Sequence, residues 1–183
     1  MTRRNSRRLD ERLPASSNQT SILKTMDEVR PAGSSLPEIW RLNNRVNLHL
    51  LDALTEQQLT AVILPRGKAV TSYFAHIHMA RFYWLQRRAS ALAKRLKKVP
   101  EGSATRPILR EALHESGEAM AELFTDAERT GHLKGVKHGP LGFLGYALAH
   151  EAHHRGQILL HLKIAKLPLS RAAADSLWYW NKI

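Results

Sequence analysis

The stretch ALAHEAHHRGQILLHL, residues 147–162, places four histidines in sixteen positions. On a helix, residues four apart differ by about 40° in direction and about 6 Å in height. His150 and His154 are so spaced, and their imidazoles can reach one ion. Two ligands make a weak site, because a catalytic zinc-type centre wants three protein ligands and an open position. The third ligand must then come from another element. The competing reading is a pair of hydrogen-bonded core histidines. His153, at i,i+3 from His150, offers a rival pair. His161 lies seven residues beyond His154, about 10 Å along the axis, too far to share the ion.

Helical geometry puts Tyr146 and Ile164 on one side of the His150/His154 stripe and Ala147 and Ile158 on the other, so the pair is expected to face the core. Glu151 projects among Leu144, Ala147, Ile158 and Leu162. A buried carboxylate there needs a partner, and Arg155, one turn on, is the near candidate. The alternative role for Glu151 is to orient a ligand histidine or move a proton. A second source of imidazoles is AHIHMA, where His76 and His78 flank Ile77 by about 100° each. Periodicity does not choose between them.

The elements that must carry these residues are helical. SLPEIW has Ser35 as a cap and Pro37 in the first turn, and opens a helix running to about Leu59. After the break LPRGKA, a second helix is expected from about Val70 to Lys98, with Val70, Tyr73, Ile77, Ala80 and Trp84 on its apolar stripe. The loop VPEGSATRP leads to a third, about Pro107 to Glu128, with a polar stripe of Glu111, Glu115, Glu118 and Glu122. The loop TGHLKGVKHGP leads to a fourth, about Leu141 to Lys166. The short amphipathic segment RAAADSLWYW closes the chain. Four long helices predict an all-α four-helix bundle over residues 36–183. Residues 1–35 are polar, broken by Pro14, Pro31 and Gly33, and are expected to form a basic, disordered arm dispensable for folding.

Glu111/His114 and Glu151/His154 both match the Glu-x-x-His pattern of di-iron bundles. That site also needs a Glu from each of the other two helices, and residues 70–98 contain no Asp or Glu. A di-iron centre is therefore not expected.

The chain has 183 residues, a formal net charge of +12 and no cysteine. No disulfide can form, and no thiol of this chain can be a nucleophile or ligand. A reducing cytoplasm is the expected location. No apolar run approaches the roughly 18 residues of a membrane helix, so no membrane partner is expected. The N-terminus lacks the apolar segment of a secretory signal. It is Arg- and Ser-rich, as organelle transit peptides are, although Asp10 and Glu11 weigh against that. RRNSRR and the run Arg87, Arg88, Lys94, Arg95, Lys97 and Lys98 would suit nucleic acid. Both lack aromatics for base stacking, and a solvated face near a helix C-terminus explains the run equally well. Nucleic acid is not the expected partner.

YFAHIHMARFYWL followed by LGYALAHEAHHRGQILLHL resembles the DinB-like (YfiT-like) family of metal-binding four-helix bundles. HEAHHRGQI is the most specific segment, and LNNRVNLHLLDAL is similar to the family's first helix. The resemblance implies an up-down-down-up bundle, a homodimer, and a divalent ion such as zinc or nickel held by one histidine of the second helix and the His-x-x-x-His pair of the last. Carried over, the ligands are His76, His150 and His154. His76 is preferred to His78 because it stands eight residues before Trp84, as in the family's pattern. Arg81 stands near where many members have an acidic residue.

The expected function is accordingly that of a metal-dependent, thiol-dependent transferase of small molecules, with the thiol supplied as a cosubstrate. Asn43 and Asn47, one turn apart on the first helix, are candidates to bind that cosubstrate, and Glu151 or His153 to give acid–base help. The alternatives are a metal-dependent hydrolase, or a non-enzymatic stress-response or nucleic-acid-binding protein with a structural metal.

Overall fold

The computed structural model describes residues 35–65, 67–100 and 104–183. The expected disordered arm lies outside the described residues, Ser35 apart. Described residues form the helices α1 (Leu36–Ala53), α2 (Glu56–Leu59), α3 (Thr71–Arg88), α4 (Ser90–Ala93), α5 (Arg106–Thr130), α6 (Gly139–Ile164) and α7 (Arg171–Ser176), and a 3₁₀ turn at Trp180–Lys182. The four long ones, α1, α3, α5 and α6, make the expected bundle. Ser35 caps α1 in a full capping box with Glu38, which satisfies two orphan donors of the first turn.

Side-chain contacts fix the directions. Arg41 meets Glu118 and Asp52 meets Arg110, so α1 and α5 are antiparallel. Arg81 reaches the Leu113 carbonyl and His78 the Ala112 carbonyl, so α3 descends beside α5. Trp84 packs on Tyr146 while His76 packs on His154, so α3 and α6 are antiparallel. This is an up-down-down-up bundle.

That topology corrects two helix boundaries. Two consecutive parallel helices require the chain to travel back the length of the bundle between them. The expected helix to Lys98 therefore stops at Arg88, where Ala89 leaves helical geometry (φ −144°, ψ 69°). The segment after it returns alongside α3, bringing the Lys97 carbonyl within 2.8 Å of a His78 ring nitrogen. Of the basic run, only Arg87 and Arg88 lie in the helix's last turn. The first helix, expected to reach Leu59, ends at Ala53. Leu54 is extended, and Thr55 and Gln58 form a second capping box that starts α2. Arg106 donates to the carbonyls of Leu51 and Leu54 that this ending frees.

The interior is layered. One apolar cluster includes Leu50, Leu51, Phe74, Ile77, Leu109 and Ile158. The other includes Trp40, Leu85, Met120, Phe124, Phe143 and Ala147. Between them lies a buried polar layer of Asn43, Asn44, Asn47, Arg81, Ser116 and Glu151. Helices α1 and α5 approach closely at Gly117. A Cβ there would sit 2.1 Å from the Asn44 amide nitrogen, and the Gly117 carbonyl accepts from the Trp40 indole N–H at 2.8 Å.

Candidate metal centre

His76 of α3 and His150 and His154 of α6 come together. One ligand atom from each lies within 4.8 Å of the others. The Nε2 atoms of His150 and His154 are 3.2 Å apart. Nitrogens bound to one tetrahedral zinc at about 2.05 Å stand about 3.3 Å apart, so this pair is already at coordinating separation. The His76 ring lies 5.6 Å from that of His150 and 4.6 Å from that of His154.

Protonation favours ligation as well. Burial, followed by the neighbouring imidazoles, outweighs the Gln157 hydrogen bond and pulls His154 down to about 4. His150 is lowered by burial and then by His76, against the opposing pull of Glu151. Neutral imidazoles present lone pairs at neutral pH. The His154 Nδ1 lies 2.7 Å from the Gln157 amide oxygen. Donation of the Nδ1 proton to that oxygen leaves the Nε2 lone pair facing His150, as an orienting hydrogen bond does for a ligand histidine. His150 Nδ1 is buried with no hydrogen-bond partner among the described residues.

The pair lies half-buried at the margin of the core, with Ala147 and Ile158 on one flank fully buried. Tyr146 and Ile164, which flank it on the other side, are more than half exposed, and α6 turns Phe143, Leu144, Ala147, Glu151, Ile158 and Leu162 inward. The three imidazoles therefore sit at the α3/α6 edge, where an open coordination position would meet solvent. His78 is fully buried, its ring nitrogens facing the carbonyls of Ala112 and Lys97. His161 is also buried, within hydrogen-bonding distance of the Ala61 carbonyl and Tyr73 hydroxyl. Neither joins the cluster.

Glu151 is fully buried, and its principal partner is Arg81 rather than Arg155. Arg81 Nε donates to Oε1 at 2.6 Å and Nη2 to Oε2 at 2.9 Å. The Asn43 and Asn47 amides donate to Oε2 at 2.5 and 2.6 Å. Arg155 donates to the amide oxygens of the same two asparagines. Arg81 Nη1 donates to Asn44 Oδ1, the Leu113 carbonyl and Ser116 Oγ, and the Trp40 ring lies 5.0 Å from the guanidinium carbon. Asn43 and Asn47 thus have both ends of their amides engaged inside the bundle. His153 is exposed at the rim, its ring 5.3 Å from that of His154. Trp84 and Tyr146 wall the site, 5.1 and 6.3 Å from the His150 ring.

Sequence reasoning missed Gln157 and the Arg81 pairing. Gln157 had a local signal, standing three residues after His154 on one helix face. Arg81 had none, since its partner is on another helix.

Searches of curated proteins and of solved structures find no match to the chain. Residues 28–165 match the DinB family. That span includes all three histidines and well over half of the sequence, and the chain belongs to the DinB family.

Proposed function

We propose that the protein binds one divalent ion, zinc or nickel, through His76, His150 and His154, and that it is a thiol-dependent transferase of small molecules. The observation that carries this reading is the convergence of three imidazoles from two helices, two of them with Nε2 atoms 3.2 Å apart. A bound divalent ion would supply a Lewis acid able to hold a thiol as its anion near neutral pH. The chain has no cysteine, so that thiol must come from outside.

The residues around the histidines supply position more than acid–base chemistry. Glu151 accepts from Arg81 and two asparagines, and we assign it the task of holding α6 in register against α1 and α3. Asn43 and Asn47 serve that network rather than a cosubstrate. His153, at the rim, is the remaining candidate for moving a proton to or from the substrate. Trp84 and Tyr146, packed edge to face, give an apolar wall against which an electrophile can be oriented, and orientation beside a nucleophile is itself a large part of a rate enhancement.

The test supplies common low-molecular-weight thiols with a generic electrophile, comparing metal-loaded protein, chelated protein and His154→Ala. Conjugation above the buffer rate is expected only from the first. Equal rates in all three and in buffer would overturn the transferase reading.

A further inference from the structure

Next to the histidines, toward the end of the bundle where α3 stops and α6 starts, lies a depression of about 520 Å³. Its apolar walls include Trp84, Phe143 and Tyr146, and its rim carries Arg87, Arg88, Lys137 and His138. No acidic residue lines it. Elsewhere the surface arginines Arg41, Arg95, Arg110 and Arg129 each meet a carboxylate. Among the described residues, no carboxylate forms such a pair with Arg87, Arg88 or Lys137.

Arg88 stands out further. Its guanidinium carbon lies 4.4 Å from the Phe143 ring centroid, and its Nη1 makes a long contact of 3.4 Å to the Trp84 carbonyl. Its Nε is buried with no hydrogen-bond partner among the described residues. Burial and, next, the Arg87 charge hold it below the usual arginine range. An anion in the depression would meet Arg87 and the guanidinium end of Arg88 and would offset the repulsion between the two charges. Helix α6 adds to the positive field here, since it begins at Gly139 with no side-chain cap. Gly142 permits this shape, because a Cβ there would lie 2.6 Å from the His138 Cβ.

The depression and the histidine cluster share a wall. Trp84 and Tyr146 line the first and are in ring contact with His150. Gly142 is eight residues before His150, about 12 Å along the helix. We propose that this depression is the anion-binding end of the substrate site. It takes the oxyanion, carboxylate or phosphate, of a small molecule whose apolar body lies along Trp84 and Tyr146 and whose reacting end reaches the three imidazoles. The last part rests on the proposed metal site; the anion preference does not.

The experiment is calorimetric titration at low salt with phenyl phosphate, 3-phenylpropionate and the neutral 3-phenylpropanamide, on metal-loaded protein, chelated protein and His154→Ala. At least one anion should bind about ten-fold or more tightly than the amide, in all three proteins, because a charge-assisted hydrogen bond is lost with the neutral probe. The stronger of the two anions identifies the substrate class. The double variant Arg87→Gln/Lys137→Gln, both on exposed positions, should erase most of that preference. Lys163→Gln, an exposed change far along α6, should not. Equal binding of anions and amide, no anion binding, or an unaffected double variant would overturn the proposal. Anion binding by a protein that never takes up metal would refute the metal site alone.

Discussion

Arg81 and Glu151 are both without solvent exposure and form a bidentate pair at 2.6 and 2.9 Å. Removing one partner of such a pair leaves an uncompensated buried charge, which costs about 3–5 kcal/mol. Arg81→Met would strand the Glu151 carboxylate with two amide donors, and would also free Asn44 Oδ1, Ser116 Oγ and the Leu113 carbonyl. Glu151→Gln keeps the shape and strands the guanidinium. Each single change should therefore lie in that range, a fifth or more of the roughly 5–15 kcal/mol that holds a typical domain folded. At roughly 2–4 °C per kcal/mol for a chain of this size, Tm should fall by about 10 °C. The double variant should be less destabilised than the sum of the singles by about 2 kcal/mol, since contacting charges couple. Urea unfolding followed by circular dichroism gives all three values. Glu151→Gln should also loosen the register of α6 and so weaken metal binding; competition with a chelator reads this. Single variants within 1 kcal/mol of the parent protein would refute the reasoning, because the layer would then be hydrated or slack.

Gly117→Ala should destabilise by about 1–3 kcal/mol, the usual range for overpacking, because its Cβ would meet the Asn44 amide at 2.1 Å and Asn44 is tied to Arg81; a melt unchanged from the parent would show that α1 and α5 can part freely. The metal-free protein should lose stability as pH falls from about 6.5 toward 4. His154 stays neutral in the fold down to about 4, while the unfolded chain takes up its proton from about 6.5 downward, so the unfolded state binds more protons across that window and gains. His154→Gln should flatten this slope in urea unfolding at a series of pH values, and an unchanged slope would contradict the assignment. The homodimer implied by family resemblance should give about twice 20.7 kDa in light scattering at micromolar concentration. A monomer would end that expectation.

The helices and the His150/His154 pair are legible in the sequence because their signals are local: apolar spacing, caps, and two imidazoles one turn apart. What depends on the topology is not. Residues 89–98 look helical by composition, yet the chain must return beside α3 to start α5, and that requirement ends the helix at Arg88. His76 and His78 are equivalent by periodicity. Family resemblance favours His76, and the structure gives the physical reason, since His78 is enclosed by Ala112 and the returning Lys97 carbonyl. Glu151 was readable as a buried carboxylate in need of a partner. Arg155 was the nearest cation in sequence, but Arg81, seventy positions away, is brought closer by the packing of α3 on α6. The half-buried placement of the histidine pair follows from the same packing. Glu151 and Ala147 take the inner face of α6, and His150, 100° round from Glu151, lies at its margin, with His154 about 60° round on the same side.

The most direct test is elemental analysis of protein purified without added metal, beside His154→Ala and His161→Ala prepared in the same way and checked for helicity. The account predicts about one divalent ion per chain in the parent and in His161→Ala, and none in His154→Ala. Full metal retained by a folded His154→Ala protein would contradict the assignment of His76, His150 and His154 as its ligands.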